Sequence, residues 1–579
     1  MSGKLGSFTF VLHSHLPYVL SHGQWPHGMD WIHEATLGCY LPLLKVLRNL
    51  AARGLRPGVT LGITPVLAEQ LADAEFQQQF RRYLDQRLAS ARENQREFQA
   101  LGEDHLAYLA GWWQDRLEEV GALFAELGGD LVGAFRGLME AGSIELITCA
   151  ATHGYLPLLS RDESVRFQVA QGVLTHRRHF GRAPAGIWLP ECAYRPAYDW
   201  RPPVGEAGEP RPRAGVEEVL AACGLSYFFT DSHLLKGGRA IGTYLDRFDA
   251  LRKLWVRYEE SSRPRPEDAR RSELECYWVA SRPGQPHDRM AAVFTRDPQT
   301  ALTVWSAEVG YPGDGWYLDF HKKHFPGGLK YWRVTRSGSD LADKEPYQPQ
   351  MVESRLEENA AHFVSVVRRR LQEHLARTGR PGHLVAPFDT ELFGHWWFEG
   401  PRFLEKVLTR LARDPEVELL TCGERLAARP PSTVISLPEG SWGQGGFHWI
   451  WLNPDTEWTW PHVYRCEAAF AQVRDLAARG GDLARVVAQA ARELLLLQAS
   501  DWQFLISTWS ARDYAEMRFS EHVGDFSRLV DMARRLAAGQ EMSPADRAFL
   551  RRCESRDRLF PELALDAFSP RLDTTSTLG

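Results

Sequence analysis

Nowhere in this 579-residue chain do two cysteines stand in a C-x-x-C arrangement; its eight cysteines are scattered. That spacing indicates neither a zinc knuckle nor a disulfide framework, and a reducing cytoplasm is the simplest compartment. No uninterrupted apolar run reaches membrane-spanning length, and Met1 to Gly6 carry no apolar signal core. A membrane partner is therefore not expected. Basic residues form no patch large enough to indicate nucleic acid, and the net charge is −6 with a pI near 6.4. That charge is compatible with a neutral substrate without arguing for one. No internal repeat of solenoid period is present.

What the chain does have in quantity is tryptophan, with 20 residues, several in clusters: Trp112–Trp113, Trp396–Trp397, Trp449–Trp451 and Trp458–Trp460. Core packing accounts for many of them. Adjacent pairs and Gly-flanked rings in loops are harder to bury, and flat rings with polar edges suit amphipathic ligands such as sugars.

Seven short apolar, β-branched runs punctuate the first 425 residues: Phe8–Leu12, Val59–Ile63, Ile144–Cys149, Gly186–Leu189, Ser226–Thr230, His383–Pro387 and Val417–Thr421. Helical patterns separate most of them, as at Ala35–Arg53, Val66–Leu101, Glu163–Phe180 and Val352–Arg377. Strand alternating with helix predicts an α/β fold, a parallel sheet in a distorted seven-stranded (β/α)7 barrel. The expected organisation is a barrel over 1–425 with an inserted region about 195–300 over its mouth, a mainly helical C-terminal domain over 426–565, and a flexible tail over 566–579.

In such barrels the chemistry sits at the carboxyl ends of the strands. Those ends here carry His13 and His15, His153, Glu191, Asp231 and His233, and Asp389. Pro190 cannot supply a ladder N–H, so its strand should stop there and throw Glu191 out at the mouth. Asp389 follows Leu384–Phe388 in the same way. Two carboxylates facing one cleft, about 5–5.5 Å apart, are what a retaining glycosidase needs. A single strand-end carboxylate is more often a salt bridge or a helix cap. The His13-x-His15 pair has a rival reading. Same-face imidazoles on a first strand suit zinc, and His153, His233, Asp231 and Asp389 complete a conceivable metal-dependent deacetylase or amidohydrolase site.

The runs His13-Ser14-His15-Leu16-Pro17-Tyr18, Trp188-Leu189-Pro190-Glu191-Cys192-Ala193-Tyr194 and Pro387 through Trp397 together resemble glycoside hydrolase family 57, and among its members the 1,4-α-glucan branching enzymes. Gly142–Pro157, Ser441-Trp442-Gly443 and Ser500–Phe504 extend the likeness, which runs in order from about residue 7 to 540. The resemblance implies Glu191 as nucleophile, Asp389 as acid/base, α-glucan as substrate, and no metal or organic cofactor. It also implies His13 in the substrate cleft rather than on zinc, with Trp305, Trp442 and Trp451 as cleft-lining rings. Trp25, Trp31, His15, His153, Trp397 and Asp501 complete the expected substrate-binding set. A lid over His233–Tyr244, with Tyr244 at its tip, is the element expected to favour transfer over hydrolysis. An α-amylase or 4-α-glucanotransferase of the same family shares the first chemical step, so the carboxylates do not discriminate among the three.

Overall fold

A computed structural model describes residues 3–205, 209–237, 268–306, 310–336 and 338–569. The strands, in chain order, are β1 (Gly6–Ser14), β2 (Val59–Ile63), β3 (Ile144–Cys149), β4 (Gly186–Trp188), β5 (Asp199–Trp200), β6 (Arg211–Pro212), β7 (Tyr227–Thr230), β8 (Tyr277–Val279), β9 (Ala291–Thr295), β10 (Gly382–Asp389), β11 (Val417–Leu419) and β12 (Val434–Ile435). The main sheet runs β10-β1-β2-β3-β4-β7-β9-β8-β12, and β11 pairs off this path with β1. From β10 through β9 every ladder is parallel. β8 turns antiparallel to β9 and carries β12 on its far side.

β1 stands second in this order, paired by β10 on one side and by β2 and β11 on the other, and all nine of its residues are buried. Helices cover one side and the barrel interior fills the other, which is why the strand reads as a near-continuous apolar run. Thr9 keeps its hydroxyl satisfied inside by bonding the Leu420 carbonyl, and His383 bonds Ser7 at 2.8 Å. Register then fixes the site: β1 pairs β10 from Gly6↔Gly382 through His13↔Asp389.

The fold is the expected one, but two assignments along it need correction. The seventh strand of the parallel path is β9, not Val417–Thr421. β11 is a three-residue stub that pairs only the start of β1. β9 had been absorbed into the inserted region about 195–300. Its sequence, Ala291-Ala-Val-Phe-Thr295, is short and wholly buried. A short, wholly buried apolar run is not told from a buried helix segment by periodicity, and its antiparallel partner β8 breaks the helix–strand rhythm. The insertion therefore stops short of residue 291. The tail also begins later than 566, because Phe568 is buried, packing edge-on against Phe167 and Phe470.

Helices Thr459–Val473, Gly481–Leu497, Asp501–Ser507, Arg512–Ala537 and Pro544–Arg556 form the C-terminal part. It docks onto the strand ends directly. The Ser500 amide bonds the His153 carbonyl at 3.0 Å, and Gly154 bridges Ala499. No described helix is long and apolar enough to cross a membrane.

Candidate active site

Glu191 sits in the tight turn Pro190–Cys192 that ends β4, with φ of 60°, and Cys192 follows at 48°. Two consecutive non-glycine residues in the left-handed region cost the fold on the order of 1–3 kcal/mol each and persist only where surroundings over-determine them. The surroundings here are visible. Pro190 ends the ladder, the Cys192 amide closes the turn on the Leu189 carbonyl at 2.8 Å, and the Trp442 amide bonds the Glu191 carbonyl at 3.1 Å.

The Glu191 carboxylate is held by a directional chain. Trp442 Nε1 donates to Oε2 at 2.9 Å and Ser500 Oγ donates to Oε1 at 3.1 Å. Ser500 Oγ lies 2.8 Å from His153 Nδ1, and His153 Nε2 lies 3.1 Å from His13 Nε2. Since the serine proton goes to the carboxylate, His153 must donate from Nδ1 and accept at Nε2, and His13 must donate from Nε2. Every hydrogen then points toward Glu191, an arrangement that requires an acceptor at its end. Burial and the neighbouring His15 keep His13 well below the ordinary histidine pKa, and burial together with His15 and His13 does the same to His153. Both are neutral, as the chain demands. His13 further stacks on Trp188, centroids 4.9 Å apart and planes within 10°.

The third imidazole behaves differently. Burial opposes its charge, yet the Asp501 carboxylate raises the His15 pKa on balance; Nε2 lies 3.0 Å from Asp501 Oδ1. Its Nδ1 lies 3.1 Å from Thr64 Oγ1, and its amide donates to Glu391 Oε1 at 3.1 Å. Glu391 also accepts from Tyr40 at 2.6 Å.

Asp389 faces the same space from the end of β10, and its carboxyl has no protein hydrogen-bond partner among the described residues. Burial first, then the Glu391 and Glu191 carboxylates, push its pKa well above the ordinary aspartate value, with Arg296 opposing. Burial raises Glu191 to about 7, the bonds from Trp442 and Ser500 pulling the other way. One carboxyl is thus left unbonded and protonated, while the other collects donors that favour its anion. Such a division of the two carboxyls is what paired acid and nucleophile roles require.

The expected site residues separate into four groups. Glu191, Asp389, His13, His15, His153, Trp442 and Asp501 are brought together; of these, His13 and His153 stand behind the carboxylate, 2% and 4% exposed. Trp305, 39% exposed, joins the rim 6.3 Å from the Trp442 ring; Trp25 is exposed on the loop after β1, and Trp31 is half-buried on the helix Met29–Ala35 that follows. Trp397 and Trp451 do not line the cleft and are corrected here: each is 1% exposed. Trp397 packs among Tyr311, Tyr317 and Phe403, and Trp451 stacks on Tyr155 with centroids 4.4 Å apart. Tyr244 and most of the lid segment lie outside the described residues.

Ser500, Glu391 and Arg296 were not singled out from the sequence. Ser500 and Glu391 sit inside quoted motifs, but nothing in a serine's or a glutamate's local sequence reveals a partner 309 or 351 positions away. Of the conceivable deacetylase set, His13, His15 and His153 converge, and His15 and His153 with Asp501 lie close enough to hold an ion, but Asp231 and His233 are engaged elsewhere. Asp231 pairs with Arg296, and His233 Nε2 lies 3.0 Å from the Gly446 carbonyl, apart from the three stacked imidazoles.

Comparison with known proteins agrees with this geometry. Residues 9–438 match the model of glycosyl hydrolase family 57, and residues 462–568 match "1,4-alpha-glucan branching enzyme, C-terminal". A 1,4-alpha-glucan branching enzyme of Thermococcus kodakarensis is 42% identical over 557 residues, covering 96% of this chain and 77% of that protein. The crystal structure of a GH57-type branching enzyme from Pyrococcus horikoshii superposes with a TM-score of 0.86 at 38% identity, over 98% of this chain and 97% of that one. An alpha-amylase from Thermotoga maritima superposes with a TM-score of 0.78 at 26% identity, over 98% and 99%. By sequence match over most of its length, and by fold, the chain belongs to glycosyl hydrolase family 57.

Proposed function

We propose that this protein is a 1,4-alpha-glucan branching enzyme acting by retaining double displacement, with Glu191 as nucleophile and Asp389 as acid/base. The observation that carries the reading is the 42% identity to a branching enzyme across 96% of the chain. The site is consistent with it, since Ser500 and Asp501 come from the region that matches the branching-enzyme C-terminal model. Asp389 gives its proton to the glycosidic oxygen of an α-1,4-glucan as Glu191 attacks the anomeric carbon, and the shortened chain leaves with a free 4-hydroxyl. The 6-hydroxyl of an acceptor glucan then attacks the glycosyl ester, passing its proton to Asp389 as the Glu191 carboxylate departs. Two inversions give an α-1,6 branch and return both carboxyls to their starting state. A reducing, intracellular compartment suits the eight free thiols.

The deciding experiment incubates the protein with amylose and counts new α-1,6 linkages by proton NMR beside new reducing ends. Branch points in excess of reducing ends are expected. Reducing ends without branch points would make it an amylase built on the same carboxylates.

The donor chain gives a second expectation. Trp442→Phe removes the Nε1 donor and keeps an apolar ring. Glu191, already at about 7, loses a bond that favours its anion. The acid limb of kcat/KM should therefore move to higher pH, by roughly one pH unit. Ser500→Ala should move it in the same direction. An acid limb that stays put in both variants would separate that limb from Glu191.

A further inference from the structure

Outside the cleft, Trp509 is the most unexpected residue in the fold. It follows the helix Asp501–Ser507, whose C-cap is Thr508, and takes φ of 58°. That is the left-handed position closing a helix, where glycine is strongly favoured because a side chain costs conformational energy. The ring that stands there is 68% exposed, so little packing offsets the cost. Arg512 lies over the ring, 4.4 Å from its centroid. That guanidinium is itself clamped by Glu516 at 2.8 Å and Asp455 at 3.2 Å, which presents the indole as a fixed plate.

Its place in the topology points to a ligand. The helix begins at Asp501, the partner of His15 in the cleft. Asp501, Phe504 and Thr508 share one helix face, and Phe504 is 42% exposed. At 1.5 Å of rise per residue, Asp501 and Trp509 are roughly 12 Å apart along the helix axis, a span of a few sugar rings. Beyond the loop that leaves from His15, the helix Met29–Ala35 packs on the C-terminal helices, where half-buried Trp31 meets Tyr514 edge-on at 5.6 Å.

We propose that Trp509, with Phe504 on the path to it, forms a remote α-glucan subsite that grips the distal part of a long chain. The inference rests on the α-glucan reading of the cleft. A fixed, solvent-facing indole offers an apolar plane to a sugar face, and the Thr508 and Ser510 hydroxyls beside it, 2.8 Å apart, offer polar contacts to its edge.

The test compares long amylose with a short malto-oligosaccharide that cannot span from the cleft to Trp509. Trp509→Gly should raise KM for amylose about 5- to 30-fold with kcat kept, and change KM for the short substrate less than about two-fold. Trp509→Phe should recover much of the loss. Because glycine suits this backbone, the glycine variant should melt no lower than wild type. An unchanged ratio of the two KM values, or a glycine variant that loses its fold, would overturn the proposal and leave Trp509 a structural latch on Arg512. A wild-type protein inactive on every α-glucan would instead overturn the reading of the cleft itself.

Discussion

Glu191→Gln is expected to lower turnover on amylose by about 10,000-fold or more while leaving the protein folded. Glutamine keeps the shape and can still accept from Trp442 or Ser500, so the turn at φ 60° has no new reason to open. What it lacks is a charge that can bond to an anomeric carbon. A second readout separates this from a generic active-site defect. Burial lifts Glu191 from the ordinary 4.5 to about 7, so its pKa is higher folded than unfolded. The folded state therefore carries a cost of ionisation that is absent below the unfolded value, grows between the two, and is fully present above the folded one. Glutamine carries no such cost. The melting temperature of the variant, relative to wild type, should rise between about pH 4 and pH 8. Near-normal turnover in a folded variant would remove Glu191 from the mechanism, and a flat stability difference would mean that its carboxyl is not buried as described.

Asp389→Ala should cost about 100- to 10,000-fold on amylose, the usual range for losing a general acid and base. The loss should depend on the leaving group. An α-glucosyl fluoride departs without a proton, so formation of the glycosyl ester on Glu191 should survive in the variant. Breakdown of that ester needs a base only when the incoming nucleophile carries a proton. Azide carries none, and its attack on the anomeric carbon returns Glu191 as a carboxylate. Fluoride substrate with added azide should therefore restore turnover and give an α-glucosyl azide, identifiable by NMR. Equal losses on amylose and on the fluoride, without azide rescue, would show that Asp389 does something other than proton transfer. The electrostatics behind the expectation are local: Asp389 lies beside Glu391 and Glu191, both of which disfavour its anion.

Much of this was legible in the sequence because the reacting groups stand where strands end. Pro190 stops β4, and the residue after a stopped strand at a barrel mouth is exposed to the cleft by geometry. Likewise His13 and Asp389 needed only the parallel pairing of their strands to become neighbours. What stayed hidden depended on contacts between distant segments. The Ser500 hydroxyl acquires meaning only once the C-terminal helices dock on His153. Tryptophans were ambiguous for the same reason. Trp397 and Trp442 look alike as letters, but one is surrounded by Tyr311, Tyr317 and Phe403, and the other donates to the Glu191 carboxylate. β9 was missed because Ala-Ala-Val-Phe-Thr is equally at home in a buried helix.

The left-handed backbone at His153, Glu191 and Trp509 has a practical consequence for anyone re-engineering the enzyme. A procedure that ranks substitutions by backbone strain alone will favour glycine at all three, because glycine relaxes the backbone and the bonds each side chain makes do not enter the score. The result would be a protein with a relaxed backbone that has shed the Glu191 carboxylate, interrupted the donor chain behind it, and lost the exposed ring of Trp509. Stability-guided libraries for this scaffold should hold those positions fixed and seek their gains in the outer helices, where backbone and side chain do not compete.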